Sequence, residues 1–147
     1  MDSFSSRTFH AVEAVLYIAL KTTTEPVRSR EICVYQNVAV RYLEPLLQKL
    51  VHAQILRGVR GPKGGYLLAR ERRKITLSDI MKAVHPTSGK IDLQQSNLHQ
   101  QVITPIWQES IKFILQQYSE ITLADLCQRA VASGINIEAE KKSDFNI

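Results

Sequence analysis

Val59-Arg60-Gly61-Pro62-Lys63-Gly64-Gly65-Tyr66-Leu67-Leu68 is the stretch on which the fold turns. Apolar residues flank six positions that hold three glycines and a proline, the composition of a turn between two strands. Ile55, Leu56 and Val59 make the outgoing strand, and Tyr66, Leu67 and Leu68 the returning one. Arg60 and Lys63 put positive charge at the tip, and the glycines let the backbone approach another molecule closely. Ordinary turn chemistry accounts for the glycines but not for the charge. A basic wing, reaching phosphates or a DNA minor groove, accounts for both.

The residues before the wing give it a context. Phe9, Val12, Val15, Leu16 and Ala19 recur at three- and four-residue steps, a first amphipathic helix with Ser5 and Ser6 as N-caps. After a polar connection over 21–26, Ser29 caps a short helix over 30–35 with Ile32 and Cys33 turned inward. Gln36 and Asn37 then supply a turn residue tolerant of left-handed backbone. A third helix over 39–53 carries an apolar stripe of Leu43, Leu46, Leu47, Leu50 and Val51, leaving Val40, Arg41, Glu44, Gln48 and Lys49 on its other faces. Two short helices joined by a tight turn, the second with polar residues near its start, form the helix-turn-helix pattern.

After the wing, Thr76-Leu77-Ser78-Asp79 reads as a capping box opening a short helix that ends near Val84. Residues 87–96 are polar and read as a loop. A long helix over 98–118 follows, with Val102, Ile106, Ile111, Phe113, Ile114 and Leu115 apolar. Pro105 fits it only as a kink or as the true start. This helix carries more apolar surface than one small domain covers, and a symmetric two-chain contact is the economical cover. Thr122-Leu123-Ala124-Asp125 repeats the capping pattern for a last helix over 123–131, and 138–147 reads as a polar tail. The expected fold class is mostly α with a small β-hairpin. The expected division is a winged helix-turn-helix domain over 1–85, a polar connecting loop over 86–97, a dimerisation helix and C-terminal helix over 98–135, and a tail over 136–147.

Composition agrees. With 44% hydrophobic and 22% charged residues in 147, the chain is ordinary globular material for about one domain. Its formal charge of +5 hides an asymmetry: residues 1–74 hold 13 basic against 6 acidic side chains, and residues 75–147 hold 6 against 8. Arg57, Arg60, Lys63, Arg70, Arg72, Arg73 and Lys74 crowd one stretch, which suits a polyanion because each neutralised phosphate releases counterions. No run approaches the roughly 20 apolar residues that span a bilayer, and no leader pattern opens the chain, so a soluble cytoplasmic protein is expected. Cys33 and Cys127 form no C-x-x-C pair and read as small buried hydrophobes. Nucleophile elbow, zinc-protease, Walker and dinucleotide motifs are all missing, which argues against an enzyme.

Four stretches together carry a family likeness. Ala14-Val15-Leu16-Tyr17-Ile18-Ala19-Leu20, Arg41-Tyr42-Leu43-Glu44-Pro45-Leu46-Leu47-Gln48-Lys49-Leu50, the wing from Val59 to Ala69, and Ile75-Thr76-Leu77-Ser78-Asp79-Ile80 resemble the Rrf2 family of bacterial transcription regulators in order and spacing. The likeness extends through Trp107 and Ile121-Thr122-Leu123-Ala124-Asp125-Leu126. It implies a winged helix-turn-helix homodimer, repressor or activator, that binds an imperfect palindrome in promoter DNA and answers to a small-molecule or protein effector. Many members sense through an iron–sulfur cluster held by three cysteines between the fourth helix and the tryptophan. Residues 85–106 here contain no cysteine, and thiolates are the usual ligands, so the cluster site is absent in its usual form. Cys33, Cys127 and His10 remain as alternative ligands, with His85 and His99 reading as surface residues. Pro45 also departs from the family, which usually has a hydrogen-bonding residue there.

The site residues follow from placing the third helix in a major groove. Val40, Arg41, Tyr42 and Glu44 arrive first. Arg41 suits guanine or a phosphate, and Glu44 suits cytosine N4. Tyr42 divides between a phosphate contact and partial burial. Gln48 and Lys49 flank the groove. Arg28, Ser29 and Arg30 suit phosphate at a helix start. Arg57, Arg60 and Lys63 suit phosphate or minor groove, with Gly64 and Gly65 allowing approach. The competing class is a protein-interaction module that docks a metabolic enzyme, with DNA binding secondary.

Overall fold

The structure, a computed structural model, describes residues 6–21, 24–85 and 96–144, the side chains of 141–144 excepted. Ser5 and most of the expected 87–96 loop lie outside the described residues. The helices are α1 Ser6–Leu20, α2 Ser29–Gln36, α3 Val40–His52, α4 Leu77–Val84, α5 Thr104–Tyr118, α6 Leu123–Ala132 and α7 Ile137–Asp144; the strands are β1 Leu56–Val59 and β2 Gly65–Leu68.

Helix α1 is the central post, packed on α2, α3, α4, α6 and β2. Its inward face is Ala11, Ala14, Val15, Tyr17, Ile18 and Ala19, small enough on one side for close helix approach. Phe9 departs from the expected stripe: it is 58% exposed, because its neighbour Thr8, at 4%, takes the inward position in the first turn of α1. In α3, Leu43, Leu46, Leu47 and Leu50 are completely or almost completely buried, as a 3.6-residue period requires. Asn37 adopts the left-handed conformation at φ 55° and makes the turn between α2 and α3. The Val38 N–H closes it on the Cys33 carbonyl at 3.0 Å.

Pro45 sits in the interior of α3, and the helix runs through it from Val40. Having no N–H, it leaves the Arg41 carbonyl without its helical donor, at a cost of about 3 kcal/mol against alanine. Pro105 follows a π-helical stretch, His99–Ile103, and occupies the first turn of α5, where a missing N–H costs little.

Both capping boxes form. The Thr76 hydroxyl accepts from the Asp79 N–H at 3.0 Å, the Thr122 hydroxyl from the Asp125 N–H at 3.1 Å, and each aspartate accepts in return from its threonine's N–H. The two boxes lie side by side: Leu77 N–H bonds Ile121 O and Leu123 N–H bonds Ile75 O, both at 2.8 Å. Thr122→Ala should therefore cost about 1 kcal/mol, read as a melting temperature lower by about 3 °C. A melt equal to wild type would show that the cap contributes nothing.

The expected polar tail is a helix through Asp144, because it has an anchor that a count of its polar residues hides. Ile137 is buried, the Tyr35 hydroxyl donates to Glu140 at 2.9 Å, and Lys21 pairs with Glu31 at 2.9 Å and Glu138 at 3.3 Å. Burial pulls the Lys21 ammonium down, yet the two carboxylates raise it above its ordinary value. Among the described residues no helix is long and apolar enough to cross a membrane.

Candidate nucleic-acid interface

Strands β1 and β2 pair antiparallel with Leu56 opposite Leu68 and Val59 opposite Gly65, so the basic tip is a five-residue loop over 60–64. Val27, just before α2, makes a one-residue antiparallel bridge to β2: its N–H bonds Tyr66 O at 2.9 Å and its carbonyl accepts from Tyr66 N–H at 2.8 Å. The wing is thereby fastened to the start of α2. Between wing, α2 and α3 lies an open groove of about 710 Å³.

That groove brings together Arg28, Ser29, Arg30, Glu44, Gln48, Arg60, Gly64 and Gly65 of the expected site. Val40 and Arg41 are exposed at the start of α3, Lys63 is exposed at the wing tip, and Arg57 is exposed on β1; these lie outside its lining, as do Lys49 and Tyr42. Three guanidinium groups against one carboxylate give the groove a positive balance, the sign a phosphate backbone requires.

Several of these side chains have assignments that differ from the expectation. Ser29 does not cap α2: Arg28 holds the cap position without a side-chain bond, and Ser29 is the first helical residue. Its hydroxyl donates instead to Glu44 at 3.0 Å, which fixes that carboxylate on the groove side of α3. The Arg28 guanidinium donates to the Pro62 carbonyl, so it braces the wing tip. Tyr42 is half-buried, with its hydroxyl 2.9 Å from His10 Nδ1 and the two rings edge to face.

The glycines answer an internal demand as well. A Cβ at Gly64 would overlap the Val59 carbonyl oxygen, and one at Gly65 would stand 2.5 Å from the Val27 oxygen. Their residue type alone points to close approach of a partner, but the wing's own backbone already excludes a side chain there.

Tyr66 is a groove residue that the sequence does not single out, since it reads there only as a strand residue. Its hydroxyl accepts from Gln48 Nε2 at 3.1 Å, and burial, then the Glu44 charge, pushes the phenol above its usual range. It therefore keeps its proton. Its position directly after the glycine pair is the available signal.

Comparison with known proteins decides the family. The Rrf2 family, described as iron-dependent transcriptional regulators, matches residues 4–129. The chain belongs to the Rrf2 family. An HTH-type transcriptional regulator of Haemophilus influenzae is 32% identical over 146 residues, covering 97% of this chain and 94% of that one. A Synechocystis relative of the same description is 34% identical over 145 residues, covering 90% and 96%. Among solved structures, T. potens IscR superposes with a TM-score of 0.69 at 30% identity, covering 90% of each chain. The CymR global cysteine regulator of B. subtilis superposes at 0.63 and 25%, covering 86% and 96%. This Rrf2 protein is a DNA-binding transcriptional regulator with a winged helix-turn-helix fold, not an enzyme.

The family description raises iron, and the donors here do not fit a thiolate-held cluster. The chain has two cysteines, Cys33 on α2 and Cys127 on α6, both buried. Burial pushes both thiols up, away from the thiolate that iron needs.

Proposed function

We propose that this Rrf2 regulator acts as a homodimer joined along α5, whose two reading heads hold an inverted-repeat promoter site. One observation carries the dimer: α5 has no buried residue, yet Ile106 and Phe113, two turns apart on it, are 65% and 63% exposed. Leu98, Val102 and Ile103 extend the apolar surface, which a solvated monomer would leave bare.

In this reading α3 enters the major groove. Arg41, Glu44 and Gln48 read base edges, with Val40, Tyr42 and Lys49 beside them. Arg30 and the first N–H groups of α2 meet phosphate, with Ser29 and Arg28 holding Glu44 and the wing in place. Arg60 and Lys63 reach the minor groove or its phosphates, and Arg57 a flanking phosphate. The regulator works without a thiolate-held cluster and takes a small molecule or a protein as its effector.

The test is a titration of protein into labelled DNA from upstream of its own gene, at two salt concentrations, with random DNA as competitor. Two protomers should bind per site and resist the competitor. Lys63→Ala should lower the salt slope by about 0.9 for each phosphate it no longer neutralises, whereas Glu44→Ala should relax preference at one base pair and leave the slope alone. Equal competition by random DNA, together with a protein that co-purifies on α5, would overturn the reading in favour of an interaction module.

A further inference from the structure

Pro45 is the residue of α3 that the reading head does not explain. A helix of 3.6 residues per turn places Arg41, Pro45 and Gln48 within about 40° of the direction opposite the buried leucines. All three are exposed. An interior proline weakens the helix it occupies, and here the ring is exposed, so its own burial does not offset that loss. What its ring gains must come from outside the chain.

The chemistry of the position is specific. Arg41, Glu44 and Gln48 offer donors and acceptors, and between them Pro45 offers a rigid apolar ring with neither. On the major-groove edges of the four base pairs, the thymine C5-methyl is the one apolar group. We propose that Pro45 is a specificity-determining residue whose ring packs on the C5-methyl of a thymine in each half-site. The proposal rests on α3 lying in the major groove, as argued above. Rigidity favours such a contact, because the ring has no rotamer freedom to give up on binding.

The experiment takes the best-bound duplex selected from a randomised library and replaces each thymine in turn by deoxyuridine, which lacks only that methyl. Wild-type protein should lose about fourfold in affinity per methyl removed, at one thymine in each half-site and at no other. Pro45→Gln should bind the thymine and deoxyuridine duplexes equally at that position, and Pro45→Ala, whose single methyl covers less of the base, should discriminate between them less than wild type. Both variants should melt above wild type, since each restores the N–H to Arg41, which separates lost recognition from misfolding. Dimethyl sulfate protection of guanine N7 reports whether α3 occupies the major groove. Protection without any deoxyuridine effect overturns the Pro45 assignment alone, as does an effect that persists in both variants. Absence of protection overturns the major-groove reading and this proposal with it.

Discussion

Gly65→Ala is expected to detach the wing and weaken specific DNA binding by about 100-fold. The added Cβ would stand 2.5 Å from the Val27 oxygen, 2.7 Å from the Val27 carbonyl carbon and 3.0 Å from the Arg28 nitrogen, all backbone atoms that no rotamer change can clear. The strand must back away, and the two Val27–Tyr66 hydrogen bonds break, at about 1 kcal/mol each. The tip, carrying Arg60 and Lys63, then loses its fixed place beside α3. Two such contacts at about 1.4 kcal/mol each make the 100-fold. Gly58→Ala is the control, because a Cβ there meets nothing within 4 Å; it should melt within about 0.5 kcal/mol of wild type. If Gly65→Ala melts like wild type but still loses DNA, the glycine serves contact with DNA and not the fastening of the wing.

That glycine shows where reading a sequence stops. Its residue type signals that space is short, but only the folded chain shows that Val27 denies the space. Features written in local spacing are fully legible: the leucine stripe of α3, left-handed Asn37, and both threonine–aspartate capping boxes depend on residues within a turn or two. Features that depend on distant partners are not. Ser29 reads as an N-cap because its hydroxyl could serve the next turn; its actual acceptor, Glu44, is 15 positions on. The brace from Arg28 to the Pro62 carbonyl, 34 positions on, is likewise not written in local spacing. Residues 138–144 read as a polar tail because their anchoring partners, Lys21 and Tyr35, lie more than a hundred positions earlier.

The same distinction explains why the site is half legible. Arg60 emerges from the charge at the wing tip, and Arg28 and Arg30 from their place at a helix start, and the fold gathers all three in one groove. Tyr66 carries no charge, and its part in the groove arises from the pairing that sets its hydroxyl on Gln48. Periodicity also overreaches at Phe9, where the inward position of the first turn belongs to Thr8, one residue earlier, and the aromatic ring is left toward solvent.

Replacing Ile106 and Phe113 together by aspartate should convert a dimer to a monomer in sedimentation and weaken binding to an inverted repeat by about 10² to 10⁴-fold. The size follows from linkage. In a dimer the second head binds at the effective concentration set by α5, and a monomer must bind each half-site independently. The fold should survive, since neither side chain is buried and α5, beyond the π-helical stretch that leads into it, meets the rest of the chain chiefly at α4. Circular dichroism and melting should therefore match wild type, apart from any concentration dependence that the dimer itself confers. A half-site duplex is the discriminating probe: wild-type and variant heads should bind it equally weakly, because α3 and the wing are untouched. A variant that remains dimeric places the interface elsewhere than α5. A variant that becomes monomeric yet binds the full site undiminished would mean that the two half-sites are not read together, and the inverted-repeat model would fall.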